Sequence, residues 1–501
     1  MSGVDGYSRR AILAGGMMLA VAATSKGHAE EYQAVRRVSA SDGIYASRSW
    51  HNALPTAYCY AGIRYGRALR FQPPTSVGRS EQMDDSRFGP ACPQSGVGIS
   101  PQSEDCLFLN VWTPSGTSET NKPVMVYFHG GAYSTGSVTD PLNDGAALAA
   151  HGDVVVVTVN HRLNAFGYLY MPERFPDSGN SGQLDLILAL KWVQRNIAAF
   201  GGDPKNVTVF GQSGGGAKIA TLMAMPAAKG LFHKAITMSG QQVTASGPLN
   251  AAKRTAAFLA KLDGADPATA PVEQLVAALS ATDPILGGGV YMGPVMDMRN
   301  LHRHPFWPDA APQSLDIPMM LGNTVMETRA FYAPDSKQLA GLNFDNLANR
   351  IAPEMRIDAH PEWVIREFRA HYPKAEPLEL FHRIVTTARS WRGQVIEAEE
   401  RAKAGAPAFV YQLDFEQAKH TDDIGLSFGT VPNPSAAQRA MSDTMMDAFV
   451  RFARTGDPGW KPYSLKRRET MIFDTESRVE SDPRRWEREV FARIPYIQPG
   501  T

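Results

Sequence analysis

The amino-acid sequence predicts an α/β protein built on one large, mostly parallel central sheet with helices on both faces. Short apolar runs rich in β-branched residues recur along the chain and alternate with segments of helical periodicity. These runs are hydrophobic throughout rather than at every second position, which is typical of strands covered on both faces. Alternation of strands and helices favours parallel strands joined by right-handed crossovers.

Six apolar runs are predicted as the buried strands, and they are residues 123–129, 154–160, 206–211, 234–240, 317–323 and 408–415. Apolar residues at helical spacing predict a helix over residues 182–200, which Gly201 and the residues after it should end. Residues 245–310 and 333–395 have mainly helical patterns. We expect these two segments to be insertions that lie over the sheet.

The amino terminus differs from the rest of the chain. Arg9 and Arg10 precede an apolar run, and small residues follow it up to Ala29. A charged start, an apolar core and a small-residue end predict a removable export signal, and the paired arginines resemble a twin-arginine signal. We therefore expect residues 1–29 to be removed, residues 30–501 to form a single domain, and the protein to be periplasmic or secreted.

Composition excludes several kinds of partner. Lys plus Arg and Asp plus Glu both number 50, so no basic excess favours nucleic acid. No uninterrupted apolar run is long enough to predict stable insertion into a membrane. The sequence contains neither a Cys/His cluster nor a phosphate-binding loop, so we expect neither a metal nor an organic cofactor.

The pattern Gly-x-Ser-x-Gly occurs twice, at residues 211–215 and 425–429. In the first copy a buried strand leads into Ser213, and small residues follow, so that a helix can begin against its own strand. Such a strand-to-helix turn lifts a serine hydroxyl above the sheet, and the helix N-terminus favours developing negative charge. Prolines soon after Ser427 exclude this turn in the second copy. Ser213 is the predicted nucleophile, and Ser427 is a coincidental match.

A serine nucleophile needs donors for the oxyanion of its tetrahedral intermediate. A His-Gly-Gly segment, residues 129–131, directly follows an apolar strand. Backbone N–H groups at paired glycines are bare and can point at a ligand. We predict an oxyanion hole made by the N–H groups of Gly130, Gly131 and Gly214.

The nucleophile also needs a general base and an acid that orients it. His420 follows a late buried strand in a polar loop and is the predicted base. The other histidines after Ser213 lie before a strand, in amphipathic patterns or in polar segments, and they are His233, His302, His304, His360, His371 and His382. Spacing leaves two carboxylates open as the acid, Glu327 just past a strand and Asp297 in another loop.

Three cysteines exclude a disulfide-built scaffold, but an exported protein can carry one bridge. Cys92 and Cys106 are close in sequence, and polar, loop-like residues separate them. They are therefore the expected pair, and Cys59 is expected to be a small buried hydrophobe.

Together these motifs resemble the type B carboxylesterases, the family that includes bacterial para-nitrobenzyl esterases and the cholinesterases. The segments that carry the resemblance follow one another in that family's order over nearly the whole chain, and they are "SEDCLFLNVWTP" (103–114), "HGGAY" (129–133), "NHRLNAFGYL" (160–169), "GNSGQLDLILALKWVQRNIAAFGGDPKNVTVFGQSGG" (179–215), "GPVMD" (293–297) and "FARTGDP" (452–458). The resemblance implies the α/β-hydrolase fold with helical insertions over the active site, and hydrolysis of a small-molecule carboxylic ester without a cofactor.

The resemblance also implies roles for individual residues. Ser213 stands where the family has its nucleophile, Glu327 where it has the acid, and His420 where it has the base. It implies the oxyanion hole described above and supports the disulfide from Cys92 to Cys106. The same triad could cleave carbamates, amides or lactones. Complete triad positions argue against a non-catalytic adhesion protein on this fold.

Three departures from the family pattern lie close to the predicted site. Gln212 replaces the usual glutamate before the nucleophile, which removes one negative charge and weakens the case for a cationic, choline-like substrate. Gly214 replaces the usual alanine but keeps the N–H group that the oxyanion hole needs. Asp423 stands where a glutamate commonly follows the base.

Overall fold

The computed structural model of the chain describes residues 36–49, 57–79, 87–96, 98–114, 120–355 and 357–498. The export signal predicted for residues 1–29 lies outside these ranges, so it stays a prediction.

The described residues form fifteen strands, and they are β1 (Arg37–Ala40), β2 (Gly43–Ala46), β3 (Arg48–Ser49), β4 (Ala57–Arg64), β5 (Gly66–Arg67), β6 (Thr75–Ser76), β7 (Phe108–Pro114), β8 (Lys122–Phe128), β9 (Val155–Val159), β10 (Gly202–Gln212), β11 (Lys234–Met238), β12 (Met319–Thr324), β13 (Ala408–Leu413), β14 (Glu469–Phe473) and β15 (Arg478–Ser481). Eleven of them form one sheet in the order β15-β14-β13-β12-β11-β10-β8-β9-β7-β4-β3. Two small hairpins, β1-β2 and β5-β6, complete the described strands.

The six predicted strands are β8 to β13, and they lie together in the centre of the large sheet. Every neighbouring pair from β9 through β8, β10, β11, β12 and β13 to β14 is parallel. Antiparallel pairs occur only toward the two edges of this sheet as described, at β14-β15 and from β9 through β7 and β4 to β3. The prediction of a mostly parallel sheet is confirmed.

Thirteen α-helices occur in the described residues, and they are α1 (Ala146–Gly152), α2 (Asn164–Tyr168), α3 (Ser181–Asn196), α4 (Gly214–Leu222), α5 (Pro248–Ala260), α6 (Val272–Ala278), α7 (Leu347–Met355), α8 (Pro361–His371), α9 (Pro377–Val385), α10 (Arg392–Lys403), α11 (Asp422–Phe428), α12 (Ala436–Thr455) and α13 (Arg485–Phe491). Short 3₁₀ turns lie at Pro141–Asn143, Ser178–Asn180, Ile197–Phe200, Pro226–Ala228, Pro312–Ser314, Glu327–Ala330 and Phe415–Gln417, and a π-helical turn lies at Thr386–Trp391. The helix predicted over residues 182–200 is α3 with its 3₁₀ extension, and Gly201 ends it at φ 88°.

The central strands bury side chains on both faces of the sheet. Along β8, Val124 and Val126 pack with α3 on one face, whereas Met125 and Tyr127 pack with α12 on the other. Alternate residues of a strand point to opposite faces, so burial of both faces requires a run that is apolar throughout. This packing explains why the central strands could be predicted from uninterrupted apolar runs in the sequence.

The two insertions differ in how far they match the helical prediction. Helices α7 to α10 fill most of the segment after residue 346, and three of them pack with α13 in a separate apolar cluster. Residues 279–311, in contrast, lack helices, although a mainly helical segment was expected there. Asp283 and Asp297 accept hydrogen bonds from loop N–H groups in this stretch, and such side-chain bonds compete with helix formation.

The three cysteines are all buried and all free in the structure, so the expected bridge between Cys92 and Cys106 is not formed in it. The two thiols lie in hydrogen-bond contact, and this contact together with burial holds the pKa of Cys106 well above its ordinary value. Within the described residues, no helix is long and apolar enough to cross a membrane.

Candidate active site

The residues selected from the sequence meet at one edge of the sheet. Ser213 directly follows β10, Gly130 lies just beyond β8, and Glu327 and His420 lie in the loops after β12 and β13. These strands are parallel and lie close together in the sheet, with β11 between β10 and β12, so their carboxyl ends open onto a common edge. Ligands of open α/β sheets bind at this edge.

Ser213 sits on a sharp turn between β10 and α4. Its backbone has φ 54° and ψ −122°, an unfavourable region for a residue with a side chain. Its N–H donates to Met238 O at 2.7 Å, which ties the turn to the neighbouring strand β11. A Cβ at Gly215 would lie 1.9 Å from Phe128 O, so only glycine lets the helix start this close to the sheet. Ser213 is thereby raised to a half-buried position at the end of the strands.

His420 and Glu327 form a hydrogen-bonded pair in a buried position. The imidazole Nδ1 contacts Glu327 Oε2, and the Glu327 side chain is fully shielded from solvent. Glu327 Oε1 accepts hydrogen bonds from Ser239 Oγ at 2.6 Å and from the Thr324 N–H at 2.7 Å. Three contacts therefore hold the carboxylate, and the carboxylate in turn sets the orientation of the imidazole ring.

The second ring nitrogen of His420 meets an amide rather than the serine hydroxyl. Gln212 Nε2 lies 3.2 Å from His420 Nε2, and the Ser213 hydroxyl bonds no acceptor among the described residues. With the Nδ1 hydrogen donated to Glu327, Nε2 is a free acceptor, and the Gln212 amide donates to it. Of the two hydrogen bonds expected in the triad, one is formed. Serine–histidine bonds often tighten only when substrate binds.

The three N–H groups expected to bind an oxyanion are free. None of the N–H groups of Gly130, Gly131 and Gly214 donates to an acceptor in the described part of the chain. Gly130 lies beside the nucleophile, since a Cβ built on it would be 3.4 Å from Ser213 Cβ. Gly214 is the first residue of α4, so its N–H has no partner within the helix.

Comparison with known proteins shows the family to which the chain belongs. The profile of the carboxylesterase family matches residues 6–490. The chain belongs to the carboxylesterase family. It is 36% identical over 445 residues to the para-nitrobenzyl esterase of Bacillus subtilis (strain 168), covering 80% of this chain and 87% of that protein. Carboxylesterase 1D of Rattus norvegicus is 28% identical over 475 residues, covering 81% and 84% of the two chains.

A solved structure supports the same assignment. The carboxylesterase EST55 of Geobacillus stearothermophilus superposes with a TM-score of 0.79 at 33% identity, covering 90% of this chain and 99% of that one. This carboxylesterase therefore has the α/β-hydrolase fold and hydrolyses carboxylic esters with a serine mechanism, as the sequence predicted. A Ser-Glu-His triad is characteristic of the family.

Asp297, the second candidate for the acid, lies elsewhere in the carboxylesterase. It accepts hydrogen bonds from the N–H groups of Arg299 and Leu301 at 3.0 Å each, and from the Asn180 side chain at 2.9 Å. Burial alone would raise the pKa of Asp297, but the hydrogen bonds from these donors outweigh burial and hold the pKa below its ordinary value. Its contacts are those of a carboxylate that organises a loop.

The serine of the second Gly-x-Ser-x-Gly copy and several further histidines also have structural partners. Ser427 is fully buried inside α11, and its hydroxyl donates to Ile424 O at 3.0 Å. The Nδ1 atoms of His233 and His304 accept backbone N–H groups, and His382 bonds Thr328. Among the described histidines, His420 is the one that contacts Glu327.

Three residues that support the site were missed by sequence reasoning. Ser239 directly follows β11, and its place after a strand at the site edge was a usable signal. Thr324 acts through its backbone N–H, which leaves no signature in the sequence. Lys218 is fully buried in α4 among small and apolar residues, and a lone cation in such a helix was a visible anomaly.

Asp423, noted in the sequence only as a departure from the family, also lies buried near the triad. Burial raises its pKa to about 7, with the charge of Glu327 adding to the effect. Tyr411 donates to Asp423 Oδ2 at 3.4 Å.

Proposed function

We propose that this carboxylesterase cleaves its substrate through an acyl-enzyme on Ser213, with His420 as general base and Glu327 as the acid that orients it. The observation that carries this proposal is the buried contact of His420 Nδ1 with Glu327 Oε2, beside a serine on a strained strand-to-helix turn. A histidine held in this way presents Nε2 as the acceptor that a serine hydroxyl requires.

Acylation begins when the substrate carbonyl enters beside Ser213. The Gln212 amide leaves His420 Nε2, and this atom then takes the Ser213 proton while the serine oxygen bonds the carbonyl carbon. The imidazole becomes positively charged next to the Glu327 carboxylate, whose position Ser239 and Thr324 hold. Because these donors are already in place, the carboxylate need not reorganise as the charge develops.

The tetrahedral oxyanion is bound by the N–H groups of Gly130, Gly131 and Gly214. Each such donor contributes a factor of about 10² to 10³ in rate. Collapse of the intermediate breaks the ester C–O bond, and His420 returns its proton to the leaving alcohol. A water molecule then attacks the acyl-enzyme with His420 as base, and the carboxylic acid and free Ser213 are released.

The residues around the base favour an ester with an uncharged alcohol part. Gln212, a neutral amide, lies beside His420 where the family usually has a carboxylate. The ring of Phe331 lies beside the His420 ring, with centroids 4.8 Å apart and planes tilted by 54°, and it is partly exposed, so it gives the site an apolar border. We propose small neutral carboxylic esters as substrates, since an amide at position 212 in place of a carboxylate removes one negative charge that would attract a cation.

Substrate class is tested by comparing kcat/KM for p-nitrophenyl acetate and butyrate with that for acetylthiocholine. We expect the neutral esters to be preferred. A preference for the cationic thioester would contradict the proposal. p-Nitroanilide and carbamate analogues in the same assay measure the competing amidase and carbamate-hydrolase activities, and turnover of these above the esters would favour that alternative.

Labelling with a fluorophosphonate tests the nucleophile. We expect a single phosphonylated peptide containing residues 211–215, and no label in the Ser213→Ala variant. Ser427→Ala is the matched control, because it removes the serine of the other Gly-x-Ser-x-Gly copy, and it should label like the wild type. Label on any other serine would overturn the assignment.

We also propose that residues 1–29 are a twin-arginine export signal and that the mature enzyme acts in the periplasm or outside the cell. The support is the order of charged, apolar and small residues at the amino terminus. N-terminal sequencing of exported protein should begin near Glu30, and replacement of Arg9 and Arg10 by lysine should retain the precursor in the cytoplasm. Export of the double-lysine variant at the wild-type level would contradict it.

After export, we propose that Cys92 and Cys106 form a disulfide. Their thiols are already in contact, but both are buried and the Cys106 thiol resists ionisation, so closure should be slow without a catalyst. Intact mass before and after reduction and alkylation of exported enzyme measures the bridge. Two alkylated thiols at positions 92 and 106 without prior reduction would show that it is absent.

A further inference from the structure

Lys218 is a buried cation that the mechanism above does not use. It lies in α4, one turn after the helix begins, and its side chain is fully buried. Its Nζ donates to Ala132 O at 2.8 Å and to His129 O at 3.2 Å, and it lies 5.4 Å from the centre of the Tyr133 ring. Both acceptors belong to the loop that presents Gly130 and Gly131.

The first of these carbonyls to consider, that of His129, belongs to the peptide unit that contains a proposed oxyanion donor. The C=O of His129 and the N–H of Gly130 are parts of one planar, conjugated amide. A cation that bonds the carbonyl oxygen draws electron density toward it and makes the N–H of the same unit a stronger donor. Lys218 therefore bonds the carbonyl oxygen of the same peptide unit whose N–H, that of Gly130, is proposed to donate to the oxyanion.

The second carbonyl, that of Ala132, fixes the far end of the same loop. A Cβ at Gly214 would lie 2.0 Å from Ala132 O, so the loop packs against the first residue of α4 more closely than an alanine there would allow. Gly214 and Lys218 are four positions apart and therefore lie on one side of the helix. Gly214 leaves room for Ala132 O, and Lys218 donates a hydrogen bond to the same atom.

We propose that Lys218 is a positioning residue for the oxyanion hole, which holds the loop of residues 129–132 against α4 and strengthens the Gly130 N–H as a donor. The inference rests on the proposed role of that N–H in ester hydrolysis. Gly214, which stands where the family usually has alanine, serves the same role, because the closer packing that it allows brings Ala132 O within reach of the Lys218 ammonium group.

The surroundings of Lys218 contain no carboxylate to pair with it in the described chain, and burial lowers its pKa to about 7. The titratable groups around it are His129, His161 and the Tyr133 phenol. The rings of His129 and His161 stack with centroids 4.7 Å apart. Burial and the Lys218 charge lower the pKa of both imidazoles, so both stay neutral. Lys218 loses its charge as pH rises through its pKa.

The test compares Lys218→Met, which keeps the length and removes the charge and both hydrogen bonds, with Lys218→Gln, which keeps a donor without the charge. Lys234→Met is the matched control, because Lys234 is also a buried lysine with a lowered pKa but lies at the opposite end of the strands. Kinetics with p-nitrophenyl butyrate are normalised by fluorophosphonate titration, so that only folded sites count. A trifluoromethyl ketone, which adds to Ser213 and forms an oxyanion, reports the hole directly.

We expect Lys218→Met to lower kcat about tenfold with KM changed by less than about twofold, and to weaken trifluoromethyl ketone binding in proportion to kcat. Lys218→Gln should lie between Met and wild type, and Lys234→Met should match the wild type. The rate advantage of wild type over Lys218→Met should be largest below about pH 7 and shrink at higher pH, as Lys218 becomes neutral. If Lys218 had only a structural role, its replacement would not change kcat, ketone affinity and the pH dependence of the rate together.

Wild-type kcat and ketone affinity in Lys218→Met would overturn the inference, as would a loss confined to KM. If the Met variant does not accumulate, the same comparison with Lys218→Gln decides, because wild-type values there would equally contradict a role for the charge. Failure of the proposed function is distinguishable. It would appear as a label away from Ser213 or an active Ser213→Ala variant, whereas failure of this inference alone would leave Ser213 labelled and essential.

Discussion

The two Gly-x-Ser-x-Gly segments of this carboxylesterase lie in different local structures. Residues 211–215 span the end of β10 and the start of α4, and Ser213 has a positive φ of 54° between them. Residues 425–429 lie in α11 and its C-cap Gly429, where Ser427 is buried and donates to Ile424 O. Ser213 therefore lies half-buried at the end of a strand, whereas Ser427 lies in a helix and is fully buried.

The backbone of the two serines differs in energy as well as in position. A non-glycine residue in the region of Ser213 costs on the order of 1 to 3 kcal/mol, whereas Ser427 is an ordinary helical residue. The bond from Ser213 N–H to Met238 O and the tight approach of Gly215 to Phe128 O hold the strained turn. The Gly-x-Ser-x-Gly pattern therefore forms a strand-to-helix turn only where the surrounding fold supports this strain.

The largest effect on kcat is expected when each of the two serines is replaced by alanine. Ser213→Ala should lower kcat for p-nitrophenyl esters on the order of 10⁶-fold, as loss of the nucleophile does in serine hydrolases. Ser427→Ala should keep kcat near the wild-type value, since that hydroxyl only satisfies a helix carbonyl. Comparable loss of turnover in both variants, measured per folded molecule, would remove the distinction between the two segments.

Alanine at one glycine of each copy, the last of the first and the first of the second, should change the free energy of unfolding by different amounts. Gly215→Ala places a Cβ 1.9 Å from Phe128 O, a backbone atom that cannot move aside, and we expect destabilisation of about 5 kcal/mol. Gly425→Ala meets the Val431 side chain at 3.1 Å, which can adjust, and alanine favours the helix, so the change should stay within about 1 kcal/mol. Urea unfolding measures both changes, and equal midpoints for the two variants would contradict the tight packing of the turn between β10 and α4.

The helix that contains Ser427 also carries Asp423, a buried carboxyl group on which the charges of Glu327 and His420 act. Burial raises the pKa of Asp423 to about 7, against 3.8 in an unfolded chain. Between these values the folded state binds more protons than the unfolded state, so folding stability falls as pH rises. Wild type should lose about 3 kcal/mol relative to Asp423→Asn over this window, because asparagine does not titrate. Urea midpoints at pH 4, 5.5 and 7 measure the difference, which would be constant if Asp423 ionised normally.

The smallest effect concerns the residue before each serine. Gln212 contacts His420 Nε2, whereas Leu426 lies in the apolar core. A carboxylate at position 212 would stabilise the protonated imidazole, so Gln212→Glu should move the acidic limb of kcat/KM upward by about one pH unit. Activity at pH 6 should then fall about tenfold, with little change at pH 9. Gln212→Met, neutral and of similar length, should keep the wild-type limb, and a shift in both variants would exclude a charge effect.

Much of the site was predictable because each residue follows a buried strand. Ser213, Gly130, Glu327 and His420 all stand a few positions past an apolar run, and parallel strands bring such positions to one edge. The choice of Glu327 over Asp297 was not decided by spacing, since both follow plausible elements. It required the resemblance to a family, and the distant contacts of both carboxylates now agree with it.

Local patterns in the sequence predict the parallel sheet and the strand-to-helix turn at Ser213, because burial on both faces and glycine-rich turns leave such patterns. Contacts between residues of distant elements follow only from the folded structure. The contact of Gln212 with His420 spans 208 residues, and the Lys218 bond to His129 O spans 89. Such contacts depend on how separate elements pack, and no periodicity along the chain records which side chain will face which carbonyl.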